Sequence, residues 1–272
     1  MTASDLASRS GALTLCRVTI LLWLLVPLTP LLVWAMANQW SWPAQLPQQL
    51  GLRGWRTAAD QDLPAALTRS FVIGTATAAT AVPLGALAGR ALAWRPRRIT
   101  SLAALVLVLP VAIPPFTIAI GLETVVLRLR LPAVLALVLI LAVLALPYTT
   151  YVMRAGYAAL DPDLERQART LGAGPMRAFA TVTAPALRNP LLAAGSIAFL
   201  VGWSDYIITV VVGGGQLVTV PMLLAAAMSG SGNEPLVAAV ALTALTPVVL
   251  LAIAVRAGRR PRRAQEPMTV GP

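Results

Sequence analysis

Residues 132–153 read PAVLALVLILAVLALPYTTYVM, with no charged side chain in the stretch and Arg154 closing it. A helix rises about 1.5 Å per residue, so roughly 20 apolar residues cross about 30 Å of bilayer hydrocarbon. This stretch is long enough to span. Working outward, windows at 18–37, 70–89, 101–121, 191–212 and 236–255 meet the same length, and none contains lysine or arginine. Asp205 is the one acid inside any window. The 70–89 window is rich in Ala, Gly and Thr, which let helix backbones approach closely, so it reads as a buried packing helix. An apolar run at 217–228 is too short to span and reads as interfacial or re-entrant.

Composition agrees. The 272 residues are 58% hydrophobic and 11% charged, less than half the roughly one quarter usual for soluble domains. The expected fold is all-α, a polytopic membrane protein with six transmembrane helices. All 21 basic residues are arginine, there is no histidine, and Cys16 is the single cysteine. The missing residue types exclude a P-loop lysine, a Schiff-base lysine, Ser-His and Cys-His nucleophiles, histidine metal sites and an intrachain disulfide. No cofactor, metal or catalytic residue is expected.

The arginines set direction. Sixteen of the 21 fall in the N-terminal segment, the 90–100 loop, the 154–190 loop and the tail; five fall in the intervening loops. The positive-inside rule places both termini in the cytoplasm, which requires an even number of spans. The net charge of +11 therefore reads as orientation rather than nucleic-acid binding. The tail Arg256, Arg259, Arg260, Arg262 and Arg263 reads as a topological anchor touching anionic membrane lipid. Ala35-Met36-Ala37 resembles a signal-peptidase site, but cleavable signals carry an apolar core of only about 7–15 residues, so an uncleaved first span is expected. The resulting organisation is a cytoplasmic segment 1–17, a first span 18–37, an extracytoplasmic loop 38–69, a domain 70–255 with a cytoplasmic loop 154–190, and a basic tail 256–272.

That loop contains LDPDLERQARTLGAGP, residues 160–175. Asp161 suits an N-cap, Pro162 the first helical position, Asp163 and Glu165 the positive end of the helix dipole, and Arg169 the other end. Glu165 and Arg169 are spaced for an i, i+4 pair. Gly172 suits the left-handed residue that closes a helix. Gly174-Pro175 then opens a second helical stretch, 176–184, stopped by Pro185. An ordinary amphipathic loop on the membrane surface is the competing reading.

These residues resemble the signature of the integral membrane permeases of ABC importers, which reads Glu-Ala-Ala, three residues, Gly, nine residues, Ile, one residue, Leu-Pro. Ala168, Gly172, Val182 and Pro185 match it; Arg166, Gln167 and Ala184 depart from it, and Glu165 lies one residue early. Pro147-Tyr148 and Leu187-Arg188-Asn189-Pro190 are also similar to that family. The resemblance implies a type I permease fold in the bacterial plasma membrane, with ATP hydrolysis in a separate subunit rather than in this chain. It further implies three partners: a dimer of ATP-binding cassette subunits, a second permease subunit (identical or not), and an extracytoplasmic substrate-binding protein. Asp161, Glu165, Arg166, Ala168, Arg169, Gly172, Ala173 and Pro185 would then form the coupling contact with the ATPase subunit.

Polar groups and helix breakers inside a bilayer mark candidate pathways. Pro114 and Pro115 interrupt the third window, and Trp203, Ser204, Asp205, Tyr206 and Thr209 lie in the fifth. Asp205 reads either as a cation-attracting pathway residue or as a hydrogen-bond partner for a neighbouring helix. The 202–209 segment is similar to permeases of the polyamine, ferric iron and thiamine importers, so the resemblance implies a small, cationic substrate. An ion-gradient-driven transporter or channel is the alternative, but it needs several intramembrane ionisable groups. A membrane enzyme finds no base to activate Ser196 or Ser231.

Overall fold

The computed structural model describes residues 14–258, apart from Leu21, Leu24, Trp42, Pro96 and Ser231. Arg9, Ser231 and the tail arginines 259, 260, 262 and 263 lie outside the described residues. The chain divides into two compact units, Met1–Leu67 with Val220–Thr246, and Thr68–Thr219 with Pro247–Pro272.

In the first unit, residues 14–20 are helical and a 3-10 turn, Val26–Leu28, leads into helix α1 (Thr29–Ala35). The 18–37 window, expected as one span, is therefore not one regular helix. Pro27 supplies no N–H and crowds the carbonyl four residues back. Strands β1 (Ala37–Gln39) and β2 (Gln49–Leu50) form an antiparallel hairpin pairing Ala37 with Leu50 and Gln39 with Gln49. The Gln48 side chain brackets Ser41, accepting its N–H at 3.1 Å and donating to its carbonyl at 3.1 Å. Helix α2 (Arg53–Asp60) follows, with the Arg53 N–H held by Asn38 Oδ1 at 3.0 Å. A side chain at Gly54 would fall on the Pro235 carbonyl.

The long apolar windows become helices α3 (Leu63–Trp94), α4 (Arg97–Ala112), α5 (Pro115–Leu129) and α6 (Ala133–Ala158). After the loop helices α7 (Asp163–Thr170), α8 (Pro175–Ala178) and α9 (Ala184–Ala186) come α10 (Arg188–Ser204), α11 (Ile207–Gly213), α12 (Val220–Met228) and α13 (Glu234–Gly258). Among the described residues three helices are long and apolar enough to cross a membrane, or up to five if each bent pair counts as one span. The bends are 97° between 101–112 and 115–129, and 78° between 175–186 and 188–204. Two of the windows read as continuous spans are thus broken. The third breaks before Pro114, which takes φ −55° and ψ 135° outside the helical region. The fifth stops at Ser204, because Asp205 is extended at φ −71° and ψ 131°.

The core of the second unit gathers Ile73, Leu137, Ile140, Leu141 and Ile208. The leucine-rich α6 is its most enclosed long helix, with 56% of its apolar window buried against 28% for α3. The 70–89 window, read as a packing helix, is the less enclosed of the two, and its small residues lie at close backbone approaches. A Cβ on Gly89 would sit 2.7 Å from the Arg154 nitrogen, and one on Gly202 would sit 2.8 Å from the Gly74 Cα. The backbones touch there.

Candidate functional site: a capped helical hairpin and a cavity at two helix breaks

Asp161 Oδ1 accepts the Asp163 N–H at 2.9 Å, so its carboxylate satisfies a donor in the first turn of α7 that has no partner within the helix. At the other end Gly172 takes φ +89°. Its N–H bonds the Arg169 carbonyl at 3.0 Å, and the Ala173 N–H bonds the Ala168 carbonyl at 3.1 Å. These two crossed bonds are a Schellman closure. It unites Ala168, Arg169, Gly172 and Ala173 in one turn. Arg166 pairs with Asp163 at 2.9 Å, both side chains largely in solvent.

Glu165 departs from the sequence reading. It does not pair with Arg169; it turns inward, only 7% exposed, and meets Arg90 of α3 at 3.0 Å. The Thr183 hydroxyl donates to the same carboxylate at 3.2 Å. A buried carboxylate needs such partners, and an i, i+4 pair on a solvated face supplies much less. Glu165 is therefore unavailable as an outward contact. Pro185 is the second correction, since helical structure continues through it to Ala186. A π turn over Phe179–Thr183 precedes it, with the Ala184 N–H reaching back to the Phe179 carbonyl. The extra residue loosens the ladder just where proline withdraws a donor. Outward from this hairpin stand Leu171, 88% exposed, and Met176, 78% exposed.

The second place is a cavity of about 500 Å³ whose lining includes Pro110, Pro115, Tyr148, Ser204, Asp205 and Tyr206. Both helix breaks open onto it. Asp205 Oδ2 accepts the Thr209 N–H at 2.8 Å and the Thr209 hydroxyl at 2.9 Å, holding the first turn of α11. The Ser204 hydroxyl donates to the Leu200 carbonyl at 2.7 Å. Of the residues singled out in sequence, Pro115, Ser204, Asp205 and Tyr206 share the cavity, whereas Trp203 and Thr209 are buried beside it. Trp203 stacks on Phe199 with centroids 5.8 Å apart. Pro114 is exposed and starts the turn into α5, its carbonyl accepting the Thr117 N–H at 3.0 Å. Tyr148, which sequence ties to the family resemblance and not to a pathway, joins the lining; a phenol one residue after Pro147 in an apolar run is its signal. The lining holds one acid and no basic side chain. The lining can accept and donate hydrogen bonds and favour positive charge.

Broken apolar helices around a polar-tipped cavity, joined to a capped hairpin at a helix end, define a multi-pass membrane transport component. A family model described as "binding-protein-dependent transport system inner membrane component" matches residues 81–263. The chain belongs to that family and is an integral protein of the inner, cytoplasmic membrane, an ABC transporter permease. It is 30% identical over 142 residues to the molybdate/tungstate transport system permease protein WtpB of Pyrococcus abyssi, covering 52% of this chain and 57% of that one. It is 28% identical over 163 residues to the inner membrane ABC transporter permease protein YnjC of Escherichia coli, covering 60% of this chain and 31% of that one. In fold it is similar to a chain of a bacterial ABC transporter that imports the acidic polysaccharide alginate. That match has a TM-score of 0.64 at 16% identity, over 96% of this chain and 99% of the other.

Proposed function

We propose that this chain forms half of the translocation pathway of an ABC importer and is driven by a separate ATPase subunit that docks on the 161–185 hairpin. The observation that carries the reading is the hairpin's outer surface. Leu171 and Met176 are almost fully exposed beside a Schellman turn that fixes their spacing. Apolar side chains held out on a rigid turn are what a groove in a partner protein takes up. Arg166, Arg169, Gly172 and Ala173 flank them as polar and backbone contacts, with Asp161 and Pro185 shaping the two ends. With no lysine in the chain, ATP binding through a P-loop belongs to the partner. Six spans with cytoplasmic termini, 70–255 as the transmembrane domain and 256–272 as a lipid-contacting tail complete the arrangement. A second permease and an extracytoplasmic binding protein complete the assembly.

The cavity at the two breaks is the proposed pathway. Asp205 supplies a carboxylate and the lining offers no base, which favours a small cationic solute and disfavours an oxyanion such as the WtpB name implies for that protein. An ion-gradient mechanism is disfavoured, because the one acid of the cavity lining is already engaged with Thr209. Coexpression with an ATPase subunit and a substrate-binding protein, purification and reconstitution into vesicles test the reading. ATP-dependent uptake that needs all three components supports it; uptake by this chain alone on an ion gradient sinks it.

A further inference from the structure

Glu165 is the single buried residue of α7. An eight-residue helix does not hold its own position in water by propensity, and Glu165 is the buried side chain that fixes it to the rest of the second unit. Arg90 Nη2 approaches both carboxylate oxygens, at 3.1 and 3.0 Å, and Thr183 Oγ1 donates to one of them at 3.2 Å. Arg90 is itself held from behind. Its guanidinium lies 4.8 Å from the Trp94 ring centroid, and Trp94 meets Tyr157 of α6 edge-on at 5.3 Å. Tyr157 is 2% exposed. One carboxylate therefore ties α7 to α3 and to the π turn, and the arginine it meets is braced against α6.

We propose that Arg90 is a positioning residue that, with Glu165 and Thr183, forms a strut carrying displacement of the 161–185 hairpin directly into α3. The inference rests on the docking reading above and adds the route by which movement leaves the hairpin. Arginine suits the task because charge-assisted bonds are short and directional, and its planar face also packs on Trp94. Pushing on the exposed face of α7 loads the pair, since no other α7 side chain is buried. The Gly172 turn cannot take over this role, because nothing lies within 4 Å of where its side chain would stand.

The test reads α3 at a distance from the pair. Phe71 lies on α3 and is 58% exposed. Phe71→Cys in a Cys16→Ser background gives one thiol, whose maleimide labelling is followed in the complex with the ATPase subunit before and after trapping with MgATP and vanadate. Trapping is expected to change the parent labelling rate, and Arg90→Gln is expected to reduce that change about tenfold, the size of one hydrogen bond to a charged group. Arg90→Lys, which keeps the charge, should restore part of it. An unchanged response in Arg90→Gln overturns the strut, and so does a parent that shows no response. If Arg90→Gln no longer binds the ATPase subunit, Thr183→Val decides. A weaker trapping response there supports the strut, and a full one overturns it. Failure of the parent itself to copurify with the ATPase subunit strikes instead at the docking reading.

Discussion

The chain reverses or breaks in two places that look alike in outline and differ in what holds them. At Gly172 one short helix ends and another starts three residues later; at Asp205 α10 ends and α11 starts two residues later. The Gly172 turn is held by its own backbone. Two crossed bonds and a left-handed φ close it, and its surroundings are open. The Asp205 break is held by its neighbours. Gly202 abuts Gly74, Trp203 stacks on Phe199, and one carboxylate grips Thr209. The first is a local device for water, where a solvated turn needs only the right conformation. The second is a device for lipid, where every freed backbone group must find a protein partner.

The comparison breaks most visibly at Gly202. Gly202→Leu drives a side chain into the α3 backbone and is expected to cost about 3 kcal/mol or more. It should lower the yield of monodisperse protein in mild detergent and depress its thermal midpoint. Gly172→Leu meets no neighbour and bears only the left-handed backbone penalty, about 1–2 kcal/mol. Size-exclusion behaviour should therefore survive while ATP-dependent uptake falls. Equal loss of folded protein in the two variants would erase the distinction between them.

Asp205 sharpens it further. Asp205→Ala removes the grip on α11 at a cost of about 1 kcal/mol, the usual worth of a helix cap. Asp205→Asn keeps an acceptor for the Thr209 N–H but removes the charge, so assembly should hold while uptake of a cationic solute falls about tenfold or more. Parallel losses of assembly and uptake in Asp205→Asn would make the carboxylate structural only. The smallest effect belongs to the exposed pair on α7. Asp163→Asn should change stability by no more than about 0.5 kcal/mol, and less at high salt, as read by the thermal midpoint.

What was legible in sequence follows the same division. Helices α3, α6 and α13 announced themselves through charge-free length, and the ends of α7 through Asp161 and Gly172, because hydrophobic runs and caps are local. The partner of Glu165 was not legible. Local spacing pointed to Arg169, while the actual partner lies 75 residues earlier in the chain, where burial selects it. Pro185 looked like a stop because the π turn that accommodates it leaves no mark in composition. The break at Asp205 was hidden inside an uninterrupted apolar window. Its signal was present in Ser204-Asp205, capping residue types directly before an apolar run. The Ala37–Leu50 hairpin carried no strong alternation, and its two short strands are stabilised by Gln48 and Asn38 side chains rather than by pattern.

The central claim is that the 161–185 hairpin is where an ATPase subunit docks. Leu171→Cys in a Cys16→Ser background places one thiol on the most exposed apolar side chain of that turn. Crosslinking to the coexpressed ATPase subunit in native membranes, with and without MgATP, tests the claim most directly. A specific crosslinked heterodimer whose yield changes with nucleotide is the predicted result. A thiol that labels freely, and never joins the ATPase subunit under any nucleotide condition, would contradict it.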